Sequence, residues 1–155
     1  MPNPEHPLAP FRFQVQFNPR FSDLDAFGHV NNARYLTYFE EGRVGYLRAL
    51  GIFLPPASPI SLVITRAECN YHSPVLHHHQ VQVHVRAADW GKARFTFHYA
   101  VWLPEEDLLA ATGCTKAVAW HLGQRKATAI PVEFLERMRS FEAGEASGSD
   151  GPAQA

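Results

Sequence analysis

Residues 21–50 read FSDLDAFGHVNNARYLTYFEEGRVGYLRAL, and their reading decides how the rest of the chain must be arranged. From Asn32 to Leu50 the spacing predicts one long helix. Ala33, Leu36, Phe39, Arg43, Leu47 and Leu50 recur at intervals of three and four, and Tyr35, Tyr38, Gly42 and Tyr46 form an adjacent stripe. Apolar groups therefore cover more than half the circumference, so other structure should wrap this helix instead of lying along one side. Gly42 and Gly45 each cost a helix interior about 1 kcal/mol relative to Ala. Close approach of a sheet or a second helix would offset that. Asn31 or Asn32 can cap the start, and Gly51 stands where a left-handed residue ends a helix.

On either side the signals are β. Phe11, Phe13, Val15 and Phe17 alternate with Arg12, Gln14 and Gln16, the period of a half-buried strand, and Asn18-Pro19 ends it. Pro55-Pro56 and Pro59 make the loop after the helix. Strands are then expected at Ser61–Tyr71, Gln80–Trp90, Ala93–Leu103 and Leu108–Trp120, with turns at Gly91 and at Pro104-Glu105-Glu106-Asp107. Strands joined so closely pair antiparallel, which predicts a meander. A short helix from Pro131 to Phe141 should follow, with Pro131 at its first position and Phe134, Leu135, Met138 and Phe141 as its apolar stripe. The order predicts an α+β fold: a curved antiparallel sheet of about five strands wrapped around one long central helix. Such a sheet has open edges, and long edges invite pairing with a second copy, so a symmetric dimer with a continuous sheet is expected.

A chain of 155 residues supports one domain. It should bury roughly 68–70% of the surface its unfolded form exposes. The N-terminal 1–10, with four prolines, reads as a flexible, extended tail, 11–141 as the single folded domain, and 142–155 as a disordered tail. Fourteen basic residues against fifteen acidic ones oppose a dedicated nucleic-acid binder, which would carry a basic excess. Cys69 and Cys114 are too few for a disulfide framework and read as reduced thiols. MPNPEHPLAP has neither a basic region nor an apolar run of a secretory signal, and no stretch approaches the ~18 apolar residues of a membrane span. These features predict a soluble, cytoplasmic protein with no membrane association.

The chemistry concentrates between Phe21 and Glu41, where two aspartates, a glycine, a histidine and two asparagines precede the most buried helix. The free N–H groups and positive dipole end of a helix start attract developing negative charge. A carboxylate beside them can attack a carbonyl whose oxygen the amides hold, or activate water to do so. Alternatively, Asp23 and Asp25 serve only a turn and a cap, which Gly28 permits.

Taken together, Phe21, Asp23, Asp25, Gly28, His29, Val30, Asn31, Asn32, Tyr35, Leu36, Phe39, Glu40 and Arg43 resemble, in order, the motif of the hotdog-fold acyl-CoA thioesterases of the 4-hydroxybenzoyl-CoA thioesterase type. YHSPV at 71–75 is similar to that family's Tyr-x-x-Pro corner, and IPVEF at 130–134 to its closing segment; the resemblance covers about residues 11–136. It implies a hotdog fold, a homodimer or homotetramer, an acyl-CoA substrate and no cofactor. Carried over by position, it makes Asp25 the nucleophile or general base, the backbone N–H of Asn32 the carbonyl-polarising donor, and His29 an assisting catalytic group. Phe27, Gly28 and Tyr35 are its substrate-binding residues, and Gly28 keeps the turn tight enough for the acyl group to approach. Asp23 is structural. Acyl-carrier-protein thioesterase relatives carry Asn two residues after the aspartate; Phe27 stands there in this chain, which favours the CoA-type site. A carrier-protein thioesterase and a non-catalytic acyl-CoA-binding protein of the same fold are the alternatives.

Other clusters carry less. His77-His78-His79 would splay toward solvent in a turn, with no Cys or carboxylate at a useful spacing, so no metal is expected. Nothing marks a base that would activate Cys114. No G-x-S-x-G, Walker A or G-x-G-x-x-G is present. Glu40 and Glu41 read as ion-pair partners of Arg43, Arg48 or a second chain.

Overall fold

A computed structural model describes residues 3–53 and 58–145. Its elements are β1 (Phe13–Phe17), α1 (Arg34–Leu50), β2 (Ile60–Tyr71), β3 (Val81–Ala88), β4 (Arg94–Leu103), β5 (Leu108–His121), β6 (Lys126–Ala127) and α2 (Val132–Glu142). The strands form one antiparallel sheet in the order β1-β3-β4-β5-β2, with the two-residue β6 against β5. The sheet curves over α1 without closing, which leaves β1 and β2 as its edges. This is the α+β arrangement that the residue pattern predicts and the hotdog fold that the resemblance implies. The loop at Pro55-Pro56 and the tail from 146 onward lie outside the described residues.

One topological expectation is corrected. β3, β4 and β5 do form a meander, but β2 does not pair with β3; it lies beside β5 at the opposite edge, with Glu68 facing Cys114 and Tyr71 facing Ala111. The connector after β2 is too constrained for a tight turn. The N–H groups of His72 and Ser73 both donate to Ala110 C=O on β5 (2.8 and 3.1 Å), and Val75, fully buried, accepts the Val30 N–H (2.8 Å). The first two bonds extend the β2–β5 pairing past Tyr71, and the third then ties the connector to the loop before α1.

Contact with the sheet explains the helix glycines. A Cβ on Gly42 would stand 2.7 Å from Val85 Cγ2, and one on Gly45 2.7 Å from Val15 Cγ1, so both glycines admit the sheet at closest approach. The buried face is Tyr35, Tyr38, Phe39, Gly42, Tyr46 and Leu47. Of the other predicted stripe, Phe39 and Leu47 are buried and Arg43 and Leu50 half-buried, while Ala33 is exposed and Leu36 is 44% exposed. The curved sheet wraps the buried side of the helix, and α2 reaches only its far end. Phe39 stacks flat on Tyr99 (4.3 Å), and Tyr46 meets Phe13, Phe97 and Phe141 edge-on.

Three boundaries also shift. α1 begins at Arg34, since residues 32 and 33 form a turn closed by Arg34 N–H to Asn31 C=O (2.9 Å). α2 begins at Val132, with Pro131 outside it in an extended conformation, and continues to Glu142. Glu142 belongs to the fold and not to the tail: its Oε1 accepts both the Tyr46 hydroxyl (2.7 Å) and the Ala87 N–H (2.8 Å). At the other end, the segment expected to be extended folds into turns. His6 N–H returns to Asn3 C=O and Ala9 N–H to His6 C=O, which places Pro4 and Pro7 at the second turn position that their fixed φ favours. The His6 ring then packs edge-on against Trp102 (5.2 Å), which holds the turns on the outer face of the sheet.

Candidate active site

Between β1 and α1 the chain makes a single 3-10 turn at Phe21–Asp23 and then a miniature hairpin. Leu24 and Val30 bridge antiparallel. Asp25 N–H donates to His29 C=O (3.1 Å), and Gly28 N–H returns to Asp25 C=O (3.1 Å). Gly28 has φ +84°, the left-handed residue such a short loop requires. A Cβ there would meet nothing within 4 Å, so the position needs glycine for its backbone angle and not for space. Val30, 2% exposed, plugs the hairpin into the core.

This hairpin separates the two aspartates. Asp23 turns inward: its Oδ2 accepts the Tyr38 hydroxyl (2.8 Å) and the Arg20 N–H (2.9 Å), and Arg34 lies 4.0 Å from its Oδ1. Burial and then the bond to Asp23 raise the Tyr38 phenol far above its ordinary range, so it stays a donor. Asp25 turns outward. Its Oδ1 accepts the Phe27 N–H (2.9 Å) and its Oδ2 the Asn31 side-chain amide (3.2 Å).

The outward side is a cleft of about 520 Å³ lined by Asp25, Phe27, His29, Val30, Asn32 and Tyr35 from the motif and by Tyr71, His72, Ser73 and Pro74 from the end of β2. Five of the six site residues read from the sequence meet there; Gly28 shapes the turn but is not part of the wall. The Phe27 and His29 rings lie nearly parallel at 6.2 Å, and Phe27 is 83% exposed at the mouth. His29 Nδ1 is 3.4 Å from Val30 C=O, and its ring makes no hydrogen bond to Asp25 among the described residues. Tyr35, pushed up to about 12 chiefly by burial, forms the floor and meets Tyr71 edge-on (4.9 Å).

At the helix start Ala33 N–H is taken by Asn31 Oδ1 (2.9 Å) and Arg34 N–H by Asn31 C=O. The Asn32 N–H, immediately before them, has no acceptor among the described residues. Its carbonyl accepts the Tyr71 hydroxyl (2.8 Å), which ties the end of β2 to the first turn of α1. The cleft thus presents a carboxylate, an unsatisfied backbone donor at the positive end of a helix, and aromatic walls. That set can polarise a carbonyl and deliver a nucleophile to it. Asn31 and the four residues 71–74 were not assigned to the site from sequence. The Tyr-x-x-Pro corner was visible, but only the β2 crossover brings it to the motif.

Elsewhere the structure corrects the histidine cluster. His77 and His78 are exposed, but His79 is buried at 3% exposure, and Glu106, from the β4–β5 turn, supplies the carboxylate that sequence spacing lacks. His79 Nδ1 accepts the Leu76 N–H (2.8 Å), so its proton is on Nε2, which donates to Glu106 Oε1 (2.8 Å). In that tautomer His79 has no lone pair to offer a metal, and His78 and Glu106 alone fall short of a closed site. The pair latches the 76–79 turn to the hairpin beyond β4. Glu41 pairs with Arg20 (3.7 Å) and Glu40 with Arg43 (3.8 Å). Burial pushes both thiols up, and for Cys114 the Glu68 carboxylate adds to it, so neither cysteine is an activated nucleophile. No helix among the described residues is long and apolar enough to cross a membrane.

Comparison with known proteins yields a family match: a model of the thioesterase-like superfamily covers residues 19–138. The uncharacterized protein YsmA of Bacillus subtilis is 30% identical over 89 residues, 57% of this chain and 60% of YsmA, so the match spans less than two thirds of that relative. The chloroplastic acyl-acyl carrier protein thioesterase ATL3 of Arabidopsis thaliana is 33% identical over 132 residues, 83% of this chain and 68% of that protein. Among solved structures, a thioesterase from Thermus thermophilus, complexed with coenzyme A and Zn, is 31% identical with a TM-score of 0.73, over 86% of this chain and 95% of that one.

Proposed function

We propose that this chain, which belongs to the thioesterase-like superfamily, is a thioester hydrolase that cleaves acyl-CoA to a carboxylic acid and free CoA thiol. The observation that carries the reading is the pairing, on one cleft, of the Asp25 carboxylate with the unsatisfied Asn32 N–H. In this reading the thioester carbonyl oxygen docks on the Asn32 N–H, where charge develops in the tetrahedral intermediate. Asp25 either attacks the carbonyl carbon, expelling the thiolate and leaving an anhydride that water opens, or takes a proton from the water that attacks. In both routes the C–S bond breaks and the thiolate leaves as the thiol after protonation. His29, with its ring at the mouth of the cleft, assists, and Phe27 and Tyr35 hold the acyl group. General-base help contributes about 10²–10⁴-fold, and one preorganised oxyanion donor about 10²–10³-fold. Together these give roughly 10⁴–10⁷-fold for an already activated ester, with no cofactor required.

The CoA form of the substrate is favoured over the carrier-protein form by Phe27, whose exposed ring cannot donate the hydrogen bond of an Asn at that position. Membership of the 4-hydroxybenzoyl-CoA thioesterase type is the finer form of the proposal, and it leaves the length and type of the acyl group open. The enzyme acts as a homodimer or a larger homo-oligomer. β2 is a twelve-residue edge, and Val63 and Tyr71 on it, with Leu36 on α1, are exposed apolar groups that a second copy would cover.

The test is thiol release from short, long and aromatic acyl-CoAs, run beside the same acyl groups on carrier protein. A higher kcat/KM on CoA supports the proposal. Higher kcat/KM on carrier protein favours the carrier-protein alternative, and tight acyl-CoA binding without thiol release makes the protein a sensor. A monomer at micromolar concentration in light scattering would contradict the oligomer.

A further inference from the structure

We infer that Asn31 is the positioning residue for the Asp25 carboxylate, an inference that rests on the thioesterase reading of the cleft. Asn31 does not line the cleft. Its atoms instead join the two groups that the reaction needs. The backbone N–H donates to Asp23 C=O (2.8 Å), and the C=O accepts the Arg34 N–H (2.9 Å). The side-chain Oδ1 accepts the Ala33 N–H (2.9 Å), and Nδ2 donates to Asp25 Oδ2 (3.2 Å).

The orientation of this amide is forced. A backbone N–H can only donate, so Ala33 requires the oxygen, and the amide nitrogen is left facing a carboxylate oxygen. With Phe27 N–H on Oδ1, each Asp25 oxygen then has one fixed donor, and the carboxylate plane is set. The Nδ2 contact is also the one hydrogen bond that ties this carboxylate to the helix start among the described residues. Because Asn31 immediately precedes Asn32, its side chain places the carboxylate while its backbone places the amide that receives the carbonyl oxygen. A misplacement of about 1 Å between such groups can cost about 10²-fold in rate.

The capping and positioning roles can be separated by substitution. Asn31→Asp keeps an oxygen for the Ala33 N–H but sets a second carboxylate against Asp25. Asn31→Ser keeps a capping oxygen and cannot reach Asp25. The experiment measures kcat, KM and Tm for the wild type, N31D, N31S, D25N and D25N/N31D with an acyl-CoA that the wild type cleaves. The expected result is a fall in kcat of about 10²-fold in N31D and N31S, with KM and Tm near wild type. In the D25N background, N31D should cause no further loss, because the carboxylate it misplaces is gone. Wild-type kcat in N31D beside an impaired D25N overturns the inference alone. So do losses in N31D and D25N that simply multiply. A wild type that releases no thiol from any acyl-CoA overturns the thioesterase reading and the inference with it.

Discussion

Asp23 and Asp25 stand two residues apart on one loop, yet their surroundings share almost nothing. Asp23 is 5% exposed, and its carboxylate is taken up by Tyr38, by the Arg20 N–H and by nearby Arg34. Asp25 lies in the wall of an open cleft, held only by a loop amide and the Asn31 side chain. The difference comes from the miniature hairpin. In a regular strand the residues on either side of Leu24 would share a face; here Asp23 ends the 3-10 turn and faces the β1–α1 junction, while Asp25 opens the hairpin loop and faces the end of β2. One motif therefore supplies both a buried structural acid and the cleft-facing acid to which the proposed chemistry is assigned, and the packing separates them.

The contrast is broken most severely by removing the acid that the proposal makes reactive. Asp25→Asn should lower kcat by about 10²–10⁴-fold, while circular dichroism and Tm stay those of the wild type. Asp23→Ala should do the reverse. It strands a buried hydroxyl and a backbone donor, each worth about 1–3 kcal/mol when unsatisfied. Urea denaturation should show that loss, and kcat corrected for the folded fraction should remain near wild type. If D23A abolished turnover in fully folded protein, the two acids would not be divided as described.

Smaller changes sharpen the division. Gly28→Ala meets no side chain but places a Cβ at φ +84°, so it should cost about 1–2 kcal/mol in thermal unfolding from backbone strain alone. Tyr38→Phe leaves Asp23 with its Arg20 contacts and removes one hydrogen bond, which should cost about 1 kcal/mol in the same assay. Its kcat should not change, since Tyr38 lies outside the cleft wall.

How much of this was legible in the sequence depends on the range of the interaction. Local patterns read correctly: the alternation at Phe13–Phe17, the helix, the meander turns and the demand for a close sheet at Gly42 and Gly45 all follow from neighbours in the chain. The place of β2 was not legible, because nothing in a strand's own pattern says which edge it takes; the bonds of residues 72–75 to Ala110 and Val30 decide it. Ala33 just before α1 and Leu36 on it carry the apolar spacing yet stay exposed for a related reason. That spacing shows which residues can be buried, and only the count of sheets shows which are. His79 and Glu106, 27 residues apart, meet only because two turns fold together. Most of the site lay in one continuous motif and so was visible. The wall from Tyr71 to Pro74 and the link from Asn31 to Asp25 came only with three dimensions.

The central claim is the joint action of Asp25 and the Asn32 amide on one thioester, and a crystal structure of the D25N variant with uncleaved acyl-CoA tests it most directly. The account predicts the thioester in the cleft between Phe27 and Tyr71, its carbonyl oxygen about 2.7–3.1 Å from the Asn32 nitrogen and its carbonyl carbon beside the residue-25 side chain. A thioester bound elsewhere on the fold, or one whose carbonyl oxygen turns away from the start of α1, would contradict it.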